Sequence, residues 1–284
     1  MNPKNYVISI IPIVFFVLVG VRHPVNAKKQ ETNEENMIQP RRLIDAHTAG
    51  ILPKAYYDFE TRIYSSGSQS LRGCGLNIGI SVGISHRLNI GISYGGDGFI
   101  GRGDVKGNPY PGGLIKYRIF EEKRHFPGVA IGYEHQGYGG IEENSYVGFV
   151  YKSQGFFLAM SKNYLILKKL QLGIHGAVNF SLEEIRTVKW PNCYLGIDFG
   201  INEELALSIE YDFALNQKDL HSENYRHPFR GFFNVGVRWA FDPSFYIELD
   251  AKDIFQQKRI STSLDEHIGW SREIKIVYIS QFFR

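Results

Sequence analysis

The stretch CGLNIGISVGISHRLNIGISY, residues 74–94, alternates apolar side chains with small or polar ones almost without a break. Apolar residues occupy every second position from Leu76 to Ile84, and the rhythm resumes at Leu88 after a turn at 85–87. Successive side chains of a β-strand point to opposite faces. The stretch therefore predicts two antiparallel strands, each with one apolar face and one small or polar face.

The same alternation recurs to the end of the chain and predicts about twelve strands. They are 55–65, 74–84, 88–94, 113–120, 128–137, 155–163, 170–181, 192–201, 205–215, 230–241, 245–254 and 271–282. Residues 145–152 also read as strand-like. We expect them to form an excursion within a long loop, because a thirteenth spanning strand would break the regular order of the connections.

Short and long connections alternate along the chain. The short ones are 85–87, 121–127, 164–169, 202–204 and 242–244, and the long ones are 66–73, 96–112, 138–154, 182–191, 216–229 and 255–270. This layout is typical of bacterial outer-membrane barrels, with the short turns in the periplasm. A soluble β-sandwich would also alternate, but strand number and length favour the barrel. We therefore predict an all-β fold, a transmembrane up-and-down antiparallel β-barrel with long extracellular loops, in the bacterial outer membrane.

Charged side chains follow the polar face of the strands. With the apolar faces turned outward, we expect these residues to line the lumen: Asp58, Glu60, Arg62, Lys116, Arg118, Glu134, His175, Asp198, Glu210, Asp212, Arg238, Glu248, Asp250, Lys252, Glu273 and Lys275. Outward charge remains only at strand ends, at Lys162, Asp253 and Arg272. A cation at the bilayer midplane costs about 2–4 kcal/mol, which explains this distribution.

Two carboxylate pairs stand out on that polar face, Glu210 with Asp212 and Glu248 with Asp250. Such pairs serve in acid–base catalysis or calcium binding. The other interpretation is cross-strand pairing with Arg62, Arg118, Arg238 and Lys252, since charges inside a narrow barrel must be paired or hydrated. We favour the second and expect no cofactor and no metal.

The chain divides into three parts. Lys4, an apolar run and small residues at the −3 and −1 positions, Val25 and Ala27, predict a secretory signal peptide over 1–27, with a membrane anchor as the alternative. Residues 28–54 are expected to form a periplasmic N-terminal segment, either a partial plug of the lumen or an ordered lead without a function of its own. Residues 55–284 form the barrel.

Composition excludes several classes of function. The chain of 284 residues carries a net charge of +3, and removing residues 1–27 leaves 30 basic and 29 acidic groups. A nearly neutral chain gives no indication of nucleic-acid binding. The two cysteines are too few for a disulfide framework. The last strand ends at Phe282 or Phe283 and resembles the insertion signal of outer-membrane barrels, which implies barrel-insertion machinery and outer-membrane lipid as partners.

The barrel part, about 230 residues, resembles bacterial outer-membrane β-barrel proteins. The opening segment IDAHTAGILP, residues 44–53, is similar to the start of the YjbH-like family, which is linked to exopolysaccharide production. Ser93-Tyr94-Gly95-Gly96 and Glu210-Tyr211-Asp212 also resemble segments of those barrels. The resemblance implies polysaccharide secretion or envelope assembly.

Three functions follow as hypotheses. The first is a porin-like barrel for passage or secretion of a polar solute such as a saccharide. The second is a structural or adhesive barrel with a closed lumen, whose loops bind a partner through Tyr110, Tyr138, Tyr146 and Trp270. The third is an enzyme, since residues 133–139 are similar to part of outer-membrane phospholipase A. In this chain Gly137 occupies the position that matches the serine nucleophile of the phospholipase, and glycine has no hydroxyl group. We therefore expect that the protein is not an enzyme.

Overall fold

The computed structural model describes residues 40–65, 73–101, 104–142, 148–166, 170–183, 190–216, 230–256, 259–261, 266–268 and 270–282. These residues belong to one compact unit, Met37–Arg284. The predicted signal peptide lies outside the described residues. Within the described ranges, no helix has the length and hydropathy that a membrane-spanning helix requires.

Seventeen strands are present in the described part of the chain. Twelve of them build the barrel: β1 (Tyr56–Ser65), β2 (Gly73–Gly83), β3 (Leu88–Gly101), β5 (Gly112–Phe120), β6 (Gly128–Glu134), β9 (Gly155–Ile166), β10 (Leu170–Phe180), β11 (Asn192–Gly200), β12 (Leu205–Asp212), β13 (Phe232–Asp242), β14 (Phe245–Lys252) and β17 (Ser271–Gln281). The short ones are β4 (Lys106–Gly107), β7 (Tyr138–Glu142), β8 (Gly148–Tyr151), β15 (Arg259–Ser261) and β16 (Glu266–Ile268).

The twelve long strands form a closed antiparallel sheet. Each pairs with the next one along the chain, and β17 pairs with β1 from Tyr56↔Gln281 to Tyr64↔Glu273. Closure leaves none of these twelve described strands at an open edge of the sheet, as the bilayer requires. The prediction of a twelve-stranded up-and-down barrel is confirmed.

Side chains alternate between the two sides of this wall as the sequence predicts. Ile92, Leu195 and Leu249 are each 55% exposed on the outer face, whereas Arg62 and Glu248 on the inner face are each 1% exposed. Aromatic side chains contact one another near both ends of the outer face, as in Tyr57–Phe282, Trp239–Phe241 and Tyr133–Phe156, with ring centroids 4.7, 4.3 and 4.9 Å apart. An apolar exterior with aromatic side chains near both ends, around a charged interior, is typical of an outer-membrane barrel.

Three of the long loops contain described strands of their own: β4, the pair β7–β8 and the pair β15–β16. β7 pairs with β8 inside the loop between β6 and β9, so residues 148–151, the described strand within the predicted excursion, contribute to a loop hairpin and not to the wall. The strand predicted at 88–94 is longer than expected: β3 continues to Gly101, pairing with β4 at Gly96 and Asp97 and with β2 at Gly101. Gly98 and Gly101 take positive φ values of 71° and 97° in this extension, which glycine adopts without strain.

The inside of the barrel is polar instead of apolar. Its largest fully buried side chains include Arg62, Lys116, Lys252, Glu210 and Glu248. A buried charge is tolerated only with partners, so these residues direct attention to what fills the lumen.

Candidate functional site

Residues 41–48 form a tight hairpin, here called the lumen hairpin. The Leu43 N–H donates to the Ala46 carbonyl at 3.0 Å, and the Thr48 N–H donates to the Arg41 carbonyl at 3.2 Å. Farther along, the Ala55 N–H donates to the Gly83 carbonyl at the turn end of the barrel. Leu43 to Gly50 are all buried, and their partners lie on the inner face of the wall.

The tip of the lumen hairpin is held by one carboxylate. The backbone N–H groups of Ile44, Asp45 and Ala46 donate to Glu210 Oε2 at 3.0, 2.9 and 2.8 Å. The other oxygen of Glu210 accepts from Asn234 Nδ2 at 3.0 Å. Consecutive backbone N–H groups that converge in this way form an anion-binding nest. Here the anion belongs to the barrel wall, on β12.

The Asp45 side chain extends the tip into a cluster of paired charges. Its Oδ1 lies 2.8 Å from Lys252 Nζ and 3.2 Å from Arg62 Nη1, and both cations also contact Glu273, at 2.5 and 3.1 Å. Burial by itself would raise the pKa of Asp45, but Lys252 and Arg62 outweigh it and hold that pKa below its ordinary value. Lys275 Nζ also donates to the Ile44 carbonyl at 2.8 Å.

His47 anchors one side of the hairpin to the wall. Its Nε2 lies 2.9 Å from Glu134 Oε2, and its ring stacks on Phe157 with centroids 4.0 Å apart. Arg42 Nη1 donates to the same Glu134 oxygen at 2.6 Å. Burial, reinforced by the positive charges of Arg42 and Lys116, lowers the pKa of His47 to about 3 despite Glu134. The ring is therefore neutral at physiological pH and donates from Nε2.

A serine, a histidine and an aspartate of the wall form a hydrogen-bonded series beside the lumen hairpin. His175 Nδ1 lies 2.8 Å from Ser161 Oγ, and its Nε2 lies 2.5 Å from Asp198 Oδ1. Hydrolases use the same residue types. Here the Ala49 N–H donates to Ser161 Oγ at 2.8 Å, and Ser161 is only 4% exposed. This hydrogen-bonded series thus fastens Ala49, directly after the lumen hairpin, to β9, β10 and β11.

The loop between β6 and β9 meets the lumen hairpin from the opposite end. The ring of Tyr138 lies 4.1 Å from the Arg62 guanidinium and 5.2 Å from Lys252 Nζ. Gln154 Nε2, at the end of the same loop, donates to the Asp45 carbonyl at 3.1 Å. The Arg62, Lys252 and Asp45 cluster therefore joins an extracellular loop to the N-terminal segment.

Two small cavities remain beside these contacts. One, of about 30 Å³, lies between Arg41, Arg42 and Glu60 and an inner wall of small residues; the wall residues are Gly79, Ser81, Gly91, Ser93, Gly112 and Gly113. The other, of about 10 Å³, is lined by Tyr151, Tyr194, Asp212 and Asn234 among others. A cavity needs roughly 10–15 Å³ to hold one water molecule. Tyr138 lines both cavities.

Thirteen of the sixteen residues expected in the lumen are buried. The buried ones are Asp58, Arg62, Lys116, Glu134, His175, Asp198, Glu210, Asp212, Glu248, Asp250, Lys252, Glu273 and Lys275. Glu60, Arg118 and Arg238 are partly exposed.

The observed ion pairs across the strands differ in detail from the expected ones. Lys275 Nζ contacts Glu248 and Asp250, each at 2.7 Å, and Arg238 contacts Glu248 at 2.6 Å. Arg118 lies away from those carboxylates, because it donates to the His86 carbonyl in a turn at 3.1 Å.

Asp253 is not at the outer surface as expected. It is 1% exposed, and its N–H donates to Asn234 Oδ1 at 2.9 Å. The reason is a positive φ of 52° directly after β14, which ends the alternation there. Strand periodicity therefore no longer assigns this residue to a face.

Sequence reasoning gave residues 28–54 as a possible partial plug but singled out none of the contact residues of the lumen hairpin. Arg41, Arg42, Asp45 and His47 supply many of its contacts with the wall, yet they precede the first strand and follow no periodicity. The available signal was the apolar, turn-rich run 43–53 between a polar lead and the first strand. Among the described residues, no group of three or more His, Cys, Asp or Glu is placed to hold a metal ion.

Comparison with known proteins yields likenesses of shape only. No protein-family model matches the chain, and no curated protein matches it. Among solved structures, the KdgM porin is 10% identical, with a TM-score of 0.42 over 78% of this chain and 98% of that one. The COG4313 outer membrane channel from Pseudomonas putida F1 is 11% identical, with a TM-score of 0.39 over 86% and 100%. Omp33 from Acinetobacter baumannii is 7% identical, with a TM-score of 0.36 over 81% and 99%.

Proposed function

We propose that this protein is an outer-membrane channel for a polar solute and that the lumen hairpin is its plug. The observation that carries the proposal is the way the hairpin is held. Its tip docks through Glu210 and Asp45, one side through Glu134, and the adjoining Ala49 through Ser161, so polar contacts dominate. Polar contacts exchange with water at small net cost, which suits a segment that must leave and return.

The inner wall beside the hairpin supports a passage. β2, β3 and β5 present glycine and serine there, so little side-chain volume fills that side of the lumen. With the hairpin withdrawn, the path would run between this wall and the charged side chains of β1, β14 and β17. Twelve strands lie between the filled eight-stranded barrels and the open pores of sixteen.

Tyr138 serves as a second barrier in this proposal. It reaches into the lumen from the loop hairpin β7–β8 and lines both cavities. Because its ring packs on Arg62 and Lys252, which also hold Asp45, the loop and the plug stabilise each other. A solute that displaces the loop from outside would loosen the plug.

We further propose the division of the chain and the class of solute. Residues 1–27 direct export, 28–54 lead into and form the plug, and 55–284 form the barrel. The segment 44–53, similar to the YjbH-like family, includes the tip of the lumen hairpin, which favours a saccharide and a role in exopolysaccharide production. Barrel-insertion machinery and outer-membrane lipid are the expected partners.

A reversible cross-link tests the plug. A Cβ atom placed on Gly128 would lie 3.3 Å from the Ala49 Cβ, close to the 3.5–4.5 Å of a disulfide. Ala49→Cys with Gly128→Cys is made in a background where the free Cys74 and Cys193 are replaced by serine. We expect planar-bilayer recordings in KCl to show no openings when oxidised and openings after reduction. The background with Cys74→Ser and Cys193→Ser alone is the control, and its openings should not change when the reductant is added.

The closed structural barrel is the second candidate, favoured by the paired charges that fill the lumen. Silent recordings from the reduced cross-link variant and from Tyr138→Ala would support it against a channel. Its proposed contact residues need one correction. Tyr110 and Trp270 are exposed, at 48% and 42%, but Tyr138 is only 4% exposed and faces the lumen. Tyr146 lies outside the described residues.

A further inference from the structure

Two carboxylates lie at the ends of one cross-strand row on the inner wall. Asp58 of β1 pairs with Ser81 of β2, and Glu134 of β6 pairs with Leu114 of β5. Ser81 and Leu114 both pair with Gly91 of β3, so the five residues form one continuous row over five neighbouring strands. All five line the cavity of about 30 Å³ beside the lumen hairpin. The two carboxylates therefore flank the side of the lumen along which the proposed passage runs.

The lumen hairpin covers both carboxylates with arginine side chains. Arg41 Nη2 pairs with Asp58 Oδ2, and Arg42 donates to both oxygens of Glu134, from Nη1 at 2.6 Å. The planar fork of a guanidinium matches a carboxylate in this way. Asp58 and Glu134 are only 1% and 3% exposed, so each is shielded from water and paired with a cation while the hairpin is docked.

Withdrawal of the lumen hairpin would leave this side of the lumen acidic. Lys116 of β5 lies on the same side, where its Nζ donates to a backbone carbonyl of the hairpin at 2.9 Å. Glu60 would keep its own partner, since Arg62 Nε donates to it at 2.7 Å. Asp58 and Glu134 would then be two carboxylates against the one ammonium of Lys116. The sixteen wall residues as a set have the same sign, with nine acids and six bases.

We propose that the open lumen selects positively charged solutes, with Asp58 and Glu134 binding ammonium or guanidinium groups in place of Arg41 and Arg42. This selectivity rests on the proposed channel function. Carboxylates that line a narrow passage favour cations, because they concentrate counter-ions and repel anions. The two docked arginines indicate which chemistry fits these positions. Among saccharides, the expected class is therefore one that carries free amino groups.

Reversal potentials of single openings in a KCl gradient test the charge selectivity. We expect wild type to favour K⁺ over Cl⁻ by about fivefold. Asp58→Asn with Glu134→Gln keeps the size of both side chains but removes their charges, so the ratio should fall about twofold. Glu203→Gln with Glu204→Gln removes two carboxylates from an exposed turn and should keep the wild-type ratio. Heat-modifiable migration on gels verifies folding, and Asp58→Asn alone replaces a double variant that fails to fold.

Competition with the arginines of the plug tests the class of ligand. At about pH 6 the amino group of D-glucosamine is protonated, whereas N-acetylglucosamine has a similar ring without a charge. Because the ammonium group competes with Arg41 and Arg42, glucosamine should increase the frequency of wild-type openings, and N-acetylglucosamine should not. Asp58→Asn with Glu134→Gln should respond to neither sugar.

A preference for Cl⁻, or the same K⁺ to Cl⁻ ratio in wild type and in Asp58→Asn with Glu134→Gln, would overturn the selectivity. Equal responses of wild type to the two sugars would overturn the assignment of the ligand groups. Both results would leave the channel function intact. Silent recordings from wild type and from the reduced cross-link variant would instead refute the channel, and the selectivity with it.

Discussion

Glu210 is the residue on which the docked position of the lumen hairpin depends most directly. Its Oε2 accepts from three backbone N–H groups at the hairpin tip. In Glu210→Gln an amide replaces the carboxylate, so hydrogen bonds to a charged group, worth about 1.5–3 kcal/mol each, become neutral ones worth about 0.5–1.5 kcal/mol each. We expect more frequent openings in bilayer recordings. Glu203→Gln, in an exposed turn, should behave as wild type, and identical traces from both variants would refute the role of Glu210.

His47 makes docking of the lumen hairpin sensitive to pH. Its pKa of about 3 in the docked state lies below the ordinary value of about 6.5. The released hairpin therefore binds more protons between these values, and docking weakens as the pH falls through that window. The lowered pKa of Asp45 acts in the same direction at more acidic pH. The groups facing His47 are Arg42, Glu134 and Lys116.

Openings should accordingly increase when recordings are taken at successively lower pH from 7 to 4. His47→Gln keeps a donor toward Glu134 but cannot titrate, so its openings should change less over the same window. A wild-type response that His47→Gln leaves unaltered would assign the pH dependence to other groups.

The sequence could assign strand residues to a face but could not assign their partners. Glu248 and Lys275 lie on the polar face by simple alternation, and alternation holds wherever the strand is regular. Their mutual contact depends on β14 pairing with β17, which only the closed sheet determines. Asp45 has no such periodicity, because a hairpin held by distant side chains leaves no local pattern. Its role became visible only with the lumen around it.

At the scale of elements, the loop hairpin β7–β8 and the lumen hairpin act as one assembly. Tyr138 packs on Arg62 and Lys252, and both cations contact Asp45. We expect Tyr138→Ala to raise conductance by removing the ring that lines both cavities. Combined with Glu210→Gln, it should show a coupling of about 0.5–3 kcal/mol in the opening equilibrium, as for residues in one network.

Tyr110→Ala is the matched control for that cycle, since Tyr110 is an exposed loop residue on the same extracellular side. It should leave conductance unchanged and show no coupling with Glu210→Gln. Additive effects of Tyr138→Ala and Glu210→Gln would mean that the two hairpins act independently. Tyr138 would then not be energetically coupled to the plug.

At the scale of the whole molecule, the fold depends on the seam between the first and last strands. Nine residue pairs join β1 to β17, and Ile276 lies within the seam, opposite Thr61 on one side and Ile247 on the other. Proline at 276 removes a ladder donor in the middle of the sheet, where proline is not tolerated. An unpaired carbonyl in the bilayer adds several kcal/mol. We expect Ile276→Pro to abolish heat-modifiable migration and outer-membrane fractionation, whereas Ile276→Val retains both. A folded, membrane-inserted Ile276→Pro protein would show that the barrel does not need this seam. The closed cylinder would then not be required to position the plug.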